Sequence, residues 1–119
     1  MVKLRTRSQI HAGVSGTARA DRRTSALLSR VSAGDVAVLD QVDLDRTTAE
    51  ALVEARVVAV VNRSAMISGR FPNRGPQLLV DAGIRMVDQA AGTGGRDLLS
   101  TIPDGREVRV LGGSVLVGD

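Results

Sequence analysis

Val36-Ala37-Val38-Leu39, then Asp43 to Ala55, then Val57-Val58-Ala59-Val60-Val61: these residues decide how the chain folds. The two apolar runs are short, continuous and rich in β-branched residues, the pattern of strands buried on both faces. Between them Ala49, Leu52 and Val53 recur at helical spacing, and Thr47 and Glu50 stand as a capping box does. Strand, helix and strand in succession predict a parallel crossover unit.

The neighbouring segments extend the same alternation. On the amino side, Val14–Ala20 predicts a short extended segment. Asp21 to Arg30 predicts a helix with Asp21 as N-cap and Ala26, Leu27 and Leu28 on one side. Ser32-Ala33-Gly34-Asp35 is a turn. Beyond Val61, Asn62 to Gly75 is a long polar loop. Pro76 suits a first helical position, and Gln77–Ala82 continues a short helix that Gly83 closes. Ile84-Arg85-Met86-Val87 predicts another strand, and Asp97–Ile102 one helical turn. Pro103-Asp104-Gly105 is a turn, and Gly112-Gly113 joins Glu107–Leu111 to Ser114–Val117 as a hairpin. The expected fold is α/β: a compact mixed sheet with a parallel core, short helices and a C-terminal hairpin. No internal repeat is visible.

At 119 residues the chain suits one domain that buries a core without disulfides. Residues 13–119 are expected to form that domain, behind a flexible basic tail over 1–12. Residues 1–30 carry seven basic residues and one acid, whereas 31–119 carry nine basic and twelve acidic residues. The basic start suits a solvated tail better than a nucleic-acid or membrane-surface arm. No Cys is present, so disulfides and thiolate chemistry are excluded. His11 is the sole histidine and lies in the tail, which excludes a Ser-His-Asp triad. Phe71 is the sole aromatic, so base-stacking recognition of nucleic acid is not expected. No apolar run approaches the ~18 residues of a spanning helix. Neither membrane insertion nor a secretory signal is expected, and the chain reads as cytoplasmic.

Three stretches carry the residues suited to chemistry. The loop over 62–76 follows the best strand, where ligands of open α/β sheets bind. It holds Asn62, Arg63, Ser64, Ser68, Gly69, Arg70 and Asn73, and it leads into a helix start. Such groups suit a phosphate or carboxylate, and a merely polar connection is the other reading. Asp40, Asp43 and Asp45 have a Mg²⁺-like density of carboxylates but no EF-hand spacing, so helix capping is preferred. Gly92-Thr93-Gly94-Gly95-Arg96-Asp97 lacks the Lys-Ser/Thr of a phosphate loop and reads as a surface connection.

Several segments taken together resemble the amino-terminal region of the SteA family of cytokinetic ring proteins. They are Gly16-Thr17-Ala18-Arg19-Ala20-Asp21-Arg22-Arg23-Thr24, Gly34-Asp35-Val36-Ala37-Val38-Leu39-Asp40, Asp43-Leu44-Asp45-Arg46, and Ile67-Ser68-Gly69-Arg70-Phe71-Pro72-Asn73 with Gly75-Pro76. The resemblance spans roughly residues 14–119. It implies a cytoplasmic cell-division domain at the septum, with protein partners that include a SteB-like membrane protein. Members of that family continue into a region resembling thiamin pyrophosphokinase, so this stretch would be the N-terminal domain of a longer protein. No cofactor and no catalytic residue is implied within the stretch. A phosphate-bearing small molecule and self-association are further expectations. A nucleotide-binding or phosphoryl-transfer domain related to thiamin pyrophosphokinase is the alternative.

The order of elements also resembles the swivelling phosphohistidine domains of phosphoenolpyruvate-utilising enzymes. Those need a Ser/Thr-His-x-Ala element in the loop after the strand. Here that region reads Ile67-Ser68-Gly69-Arg70. A guanidinium stays protonated and is no nucleophile, so the phosphocarrier step has no agent in this loop.

Overall fold

Val36, Ala37, Val38 and Leu39 are all buried, as are Ala59, Val60, Val61 and Asn62. Two such strands can only lie inside a sheet covered on both faces. A computed structural model describes residues 13–118 and shows that sheet. The tail expected over 1–12, with His11, lies outside the described residues.

The strands are β1 (Val14–Ala20), β2 (Val36–Leu39), β3 (Ala59–Asn62), β4 (Arg85–Val87), β5 (Glu107–Leu111) and β6 (Ser114–Val117). The helices are α1 (Thr24–Leu28), α2 (Arg46–Ala55), α3 (Gly75–Asp81) and α4 (Leu98–Thr101). The sheet order is β4-β3-β2-β1-β5-β6. Strands β1 to β4 run parallel, while β5 pairs antiparallel with both β1 and β6. β1 is the switch. Its first half, Val14 to Thr17, pairs with β5, and its second half, Ala18 to Ala20, pairs with β2. The α/β mixed sheet and the closing hairpin are therefore as the sequence predicts.

Each parallel step moves one strand in the same direction, so right-handed crossovers place α1, α2 and α3 on one face. Leu27, Leu44, Ala49, Leu52 and Leu79 pack there against Ala37, Leu39 and Val60. The alternate residues Val36, Val38, Ala59 and Val61 face the other way, as strand period demands. They share a second core with Leu98 and Ile102 near α4 and with Val108 and Val110 of β5. Contact between β5 and the far strands requires the sheet to curl around this second core.

Several boundaries shift, each for a local reason. The first helix covers only Thr24–Leu28. Asp21 does not cap it, because its carboxylate accepts from the Arg23 N–H at 2.9 Å and makes a turn. α2 starts at Arg46 instead of Asp43. Asp45 is its N-cap and accepts from the Thr48 N–H at 2.9 Å. Glu50 accepts from Arg46 Nε instead of closing a box with Thr47. Asp43 and Leu44 are held outside the helix by N–H bonds to the carbonyls of Ala65 (2.9 Å) and Met66 (3.0 Å). α2 ends on Arg56 in the left-handed region (φ 63°). Val57 and Val58 are spent leading the chain back, so β3 begins at Ala59 and runs through Asn62.

Gly75 fixes how α3 meets α2. A Cβ there would lie 2.0 Å from the Leu44 carbonyl oxygen and 2.8 Å from that of Asp45. Both neighbours are backbone, so neither helix start can yield alone. Gly75→Ala is expected to cost about 1–3 kcal/mol, the range for forced overpacking. Urea unfolding checks this, and an unchanged midpoint would contradict the close approach.

Candidate functional site

Asp40 leaves the end of β2 and Arg63 leaves the end of β3, side by side at the carboxyl edge of the parallel strands. Arg22 comes from the segment after β1, and Asp97 from the residue before α4. The four form a closed ionic ring. Arg63 Nη1 lies 3.5 Å from Asp40 Oδ2, and its Nε lies 2.5 Å from Asp97 Oδ1. Arg22 donates to Asp97 Oδ2 and lies 3.9 Å from Asp40 Oδ2. The Ser64 hydroxyl donates to Asp40 Oδ1. Asp97 Oδ1 is buried without an aligned hydrogen bond, so its contact with Arg63 is an ion pair only. Burial pushes the Asp97 carboxyl up, but Arg22 and Arg63 outweigh burial and hold it below the usual carboxylate range. Two cations against two anions leave the ring neutral.

Asn62 is fully buried and its amide is saturated. Nδ2 donates to the carbonyls of Gln41 (2.8 Å) and Ser64 (2.9 Å), and Oδ1 accepts from the Gln41 N–H at 2.9 Å. The rest of the polar loop also bonds inward. The Ser68 N–H and hydroxyl both donate to the Asp43 carboxylate, at 2.7 and 2.8 Å. Asp43 adopts a left-handed backbone (φ 59°) to receive them, which Asp tolerates. Asn73 Nδ2 donates to the Met66 carbonyl at 2.9 Å, and Asn73 Oδ1 accepts from the Gly75 N–H at 3.0 Å. The Met66 N–H in turn donates to Asp88 Oδ1 at 2.9 Å.

The seven loop residues singled out by sequence thus divide three ways. Arg63 and Ser64 join the ionic ring. Asn62, Ser68 and Asn73 brace the backbone. Gly69 and Arg70 stand at the exposed tip, Gly69 with φ 86°. Arg70 and Arg74 have no ion-pair partner among the described residues. Beside them Ile67 and Phe71 are 52% and 49% exposed. The tip is therefore apolar and cationic. Arg22 and Asp97 were not legible as ring members, since 75 positions separate them in sequence.

The three aspartates before α2 serve three separate partners. Asp40 serves the ring, Asp43 serves Ser68, and Asp45 caps α2. No group of three or more potential metal ligands is found among the described residues. The Gly92–Asp97 stretch bonds to itself and to α4. Arg96 N–H donates to the Thr93 carbonyl at 3.0 Å, and Thr93 N–H donates to Thr101 Oγ1 at 3.1 Å.

A second ionic knot ties the early part of the chain to its late part. Asp104 accepts from Arg30 at 3.1 and 3.2 Å and from the Ala20 N–H at 2.8 Å. The Arg30 hydrogen bond chiefly holds the Asp104 carboxyl below its ordinary range. Desolvation opposes it, and the Ala20 amide and the charges of Arg30 and Arg19 assist it. No family model and no curated protein matches the chain. No helix among the described residues is long and apolar enough to cross a membrane.

Replacing Asn62 by Ala leaves Gln41 and Ser64 backbone groups unpaired, at about 1–3 kcal/mol for each buried group. A urea midpoint unaffected by Asn62→Ala would dismiss this bracing role. For Asp104 the sign follows from its lowered folded pKa. Its stabilisation is present above the unfolded value of about 3.9 and fades as pH falls through the folded value. Because the carboxylate is 43% exposed, Asp104→Asn is expected to cost only about 0.2–1 kcal/mol at pH 7. Melting curves of the two proteins should converge once the pH has fallen below the lowered folded value of Asp104. A gap that persists there would assign the effect to something other than charge.

Proposed function

We propose that residues 13–119 are a non-catalytic interaction domain of a SteA-like cell-division protein, with the tip of the 62–76 loop as its contact surface. The observation that carries this reading is the division of labour within the loop. Ser64, Ser68 and Asn73 bond inward, while Ile67, Arg70 and Phe71 are held outward. Asp43 and Asn73 keep the tip in one shape, which lowers the entropic cost of binding. An aromatic and an arginine on a braced tip are the residue types that dominate protein contacts.

The resemblance supplies the biological setting: the division septum, with a SteB-like membrane protein among the partners. The tip's cationic character suits a partner surface bearing carboxylates or phosphate. Ser68-Gly69-Arg70 has no imidazole at the position where a swivelling domain holds its histidine, so the surface would serve contact and not phosphoryl transfer. The alternative nucleotide-binding reading draws no support from Asp40, Asp43 and Asp45, each already engaged elsewhere.

The double substitution Arg70→Ala with Phe71→Ala is expected to weaken partner association by about 2 kcal/mol or more, as for central contact residues. Septal localisation of a fluorescent fusion should fall with it, and the melting temperature should stay put. Undiminished association and localisation in a folded variant would remove the tip from the contact.

A further inference from the structure

Two surfaces of opposite charge flank α3. Helical spacing puts Pro76 and Val80 on one side of it and Leu78 on the other. On the first side, Arg74, Pro76, Gln77, Val80 and Ile67 line an open groove. Val80 is 51% exposed, a large aliphatic on a helix surface. On the second side, Val53 and Leu78 form an apolar floor between Glu50 and Glu54 of α2. Glu50 is paired with Arg46. Glu54 and Arg74 have no opposite charge in ion-pair range among the described residues.

We infer that this α2–α3 face is a homodimer interface, in which the Arg74 groove of one copy meets the Glu54 floor of the other. The two halves are complementary in charge, and both are apolar at the centre. An acidic partner would satisfy only the Arg74 side, and a basic partner only the Glu54 side. A second copy satisfies both at once. Because the halves adjoin across one helix, a two-fold axis beside α3 creates two equal contacts and closes the assembly at two copies. The interface shares Ile67 with the partner contact proposed above but uses neither Arg70 nor Phe71, so the substitutions at Arg74 and Glu54 test it separately from that contact.

The test is sedimentation equilibrium of the purified chain over a range of concentrations and salt. The wild-type chain dimerises, and added salt weakens the dimer. Arg74→Glu and Glu54→Arg each bring like charges together, and each raises the dimer dissociation constant at least about tenfold. Both reversals are compatible with folding, since each places a favourable charge at its helix end. The deciding arm is an equimolar mixture of the two variants. Every contact in the mixed dimer regains opposite charges, so dimer reappears. The proposal is overturned if the wild-type chain stays monomeric at all concentrations, or if the reversals leave the dimer intact. It is equally overturned by a mixture that stays monomeric or by assemblies larger than two copies.

Discussion

The buried side-chain amide of Asn62 is the point on which the functional edge of the molecule depends. β2 and β3 are covered on both faces, so their last residues cannot turn to water for hydrogen bonds. Asn62 supplies those bonds from within, holding Gln41 on one strand's exit and Ser64 on its own. Unmade bonds at such a depth are expensive, so the two exits have one arrangement and not several. Asp40 and Arg63, the residues beside these exits, are consequently aimed at each other. The ring with Arg22 and Asp97, and the course of the loop, follow from that aim.

Charge is organised by the same logic. The carboxyl edge of the parallel strands, where many α/β proteins hold a ligand, is here filled by the protein's own arginines and aspartates. An incoming anion there would have to displace a carboxylate already paired. Arg70 and Arg74, two of the several arginines with no ion-pair partner among the described residues, lie farther out on the loop.

The local code of the sequence carried the elements, and distant contacts carried their edges. Val36–Leu39 and the Gly112-Gly113 hairpin formed where pattern and turn chemistry put them. The third strand slid to Ala59–Asn62 because Arg56 takes a left-handed turn in a place where glycine is usual, a choice set by tertiary packing. Asp43 looked like part of a helix start, yet Ala65 and Met66 claim the backbone of Asp43 and Leu44 from across the fold. In the loop, composition located the polar groups but not their direction. Nothing in the spacing of Ser68 or Asn73 says that they face inward to Asp43 and Met66: Asp43 comes near Ser68 through the pairing of β2 with β3, and Asn73 meets Met66 where the loop folds back on itself.

Phe71 ends up in an unusual position for a sole aromatic. It lies in the exposed loop instead of the core, and the chain holds no Trp or Tyr. Both cores are therefore free of aromatic rings. In a proton spectrum every ring signal but the one imidazole's then belongs to a single side chain at the proposed contact surface. The protein carries its own unlabelled reporter there, and a shift or broadening of those few lines would register engagement of the loop while the ring-free interior stays silent.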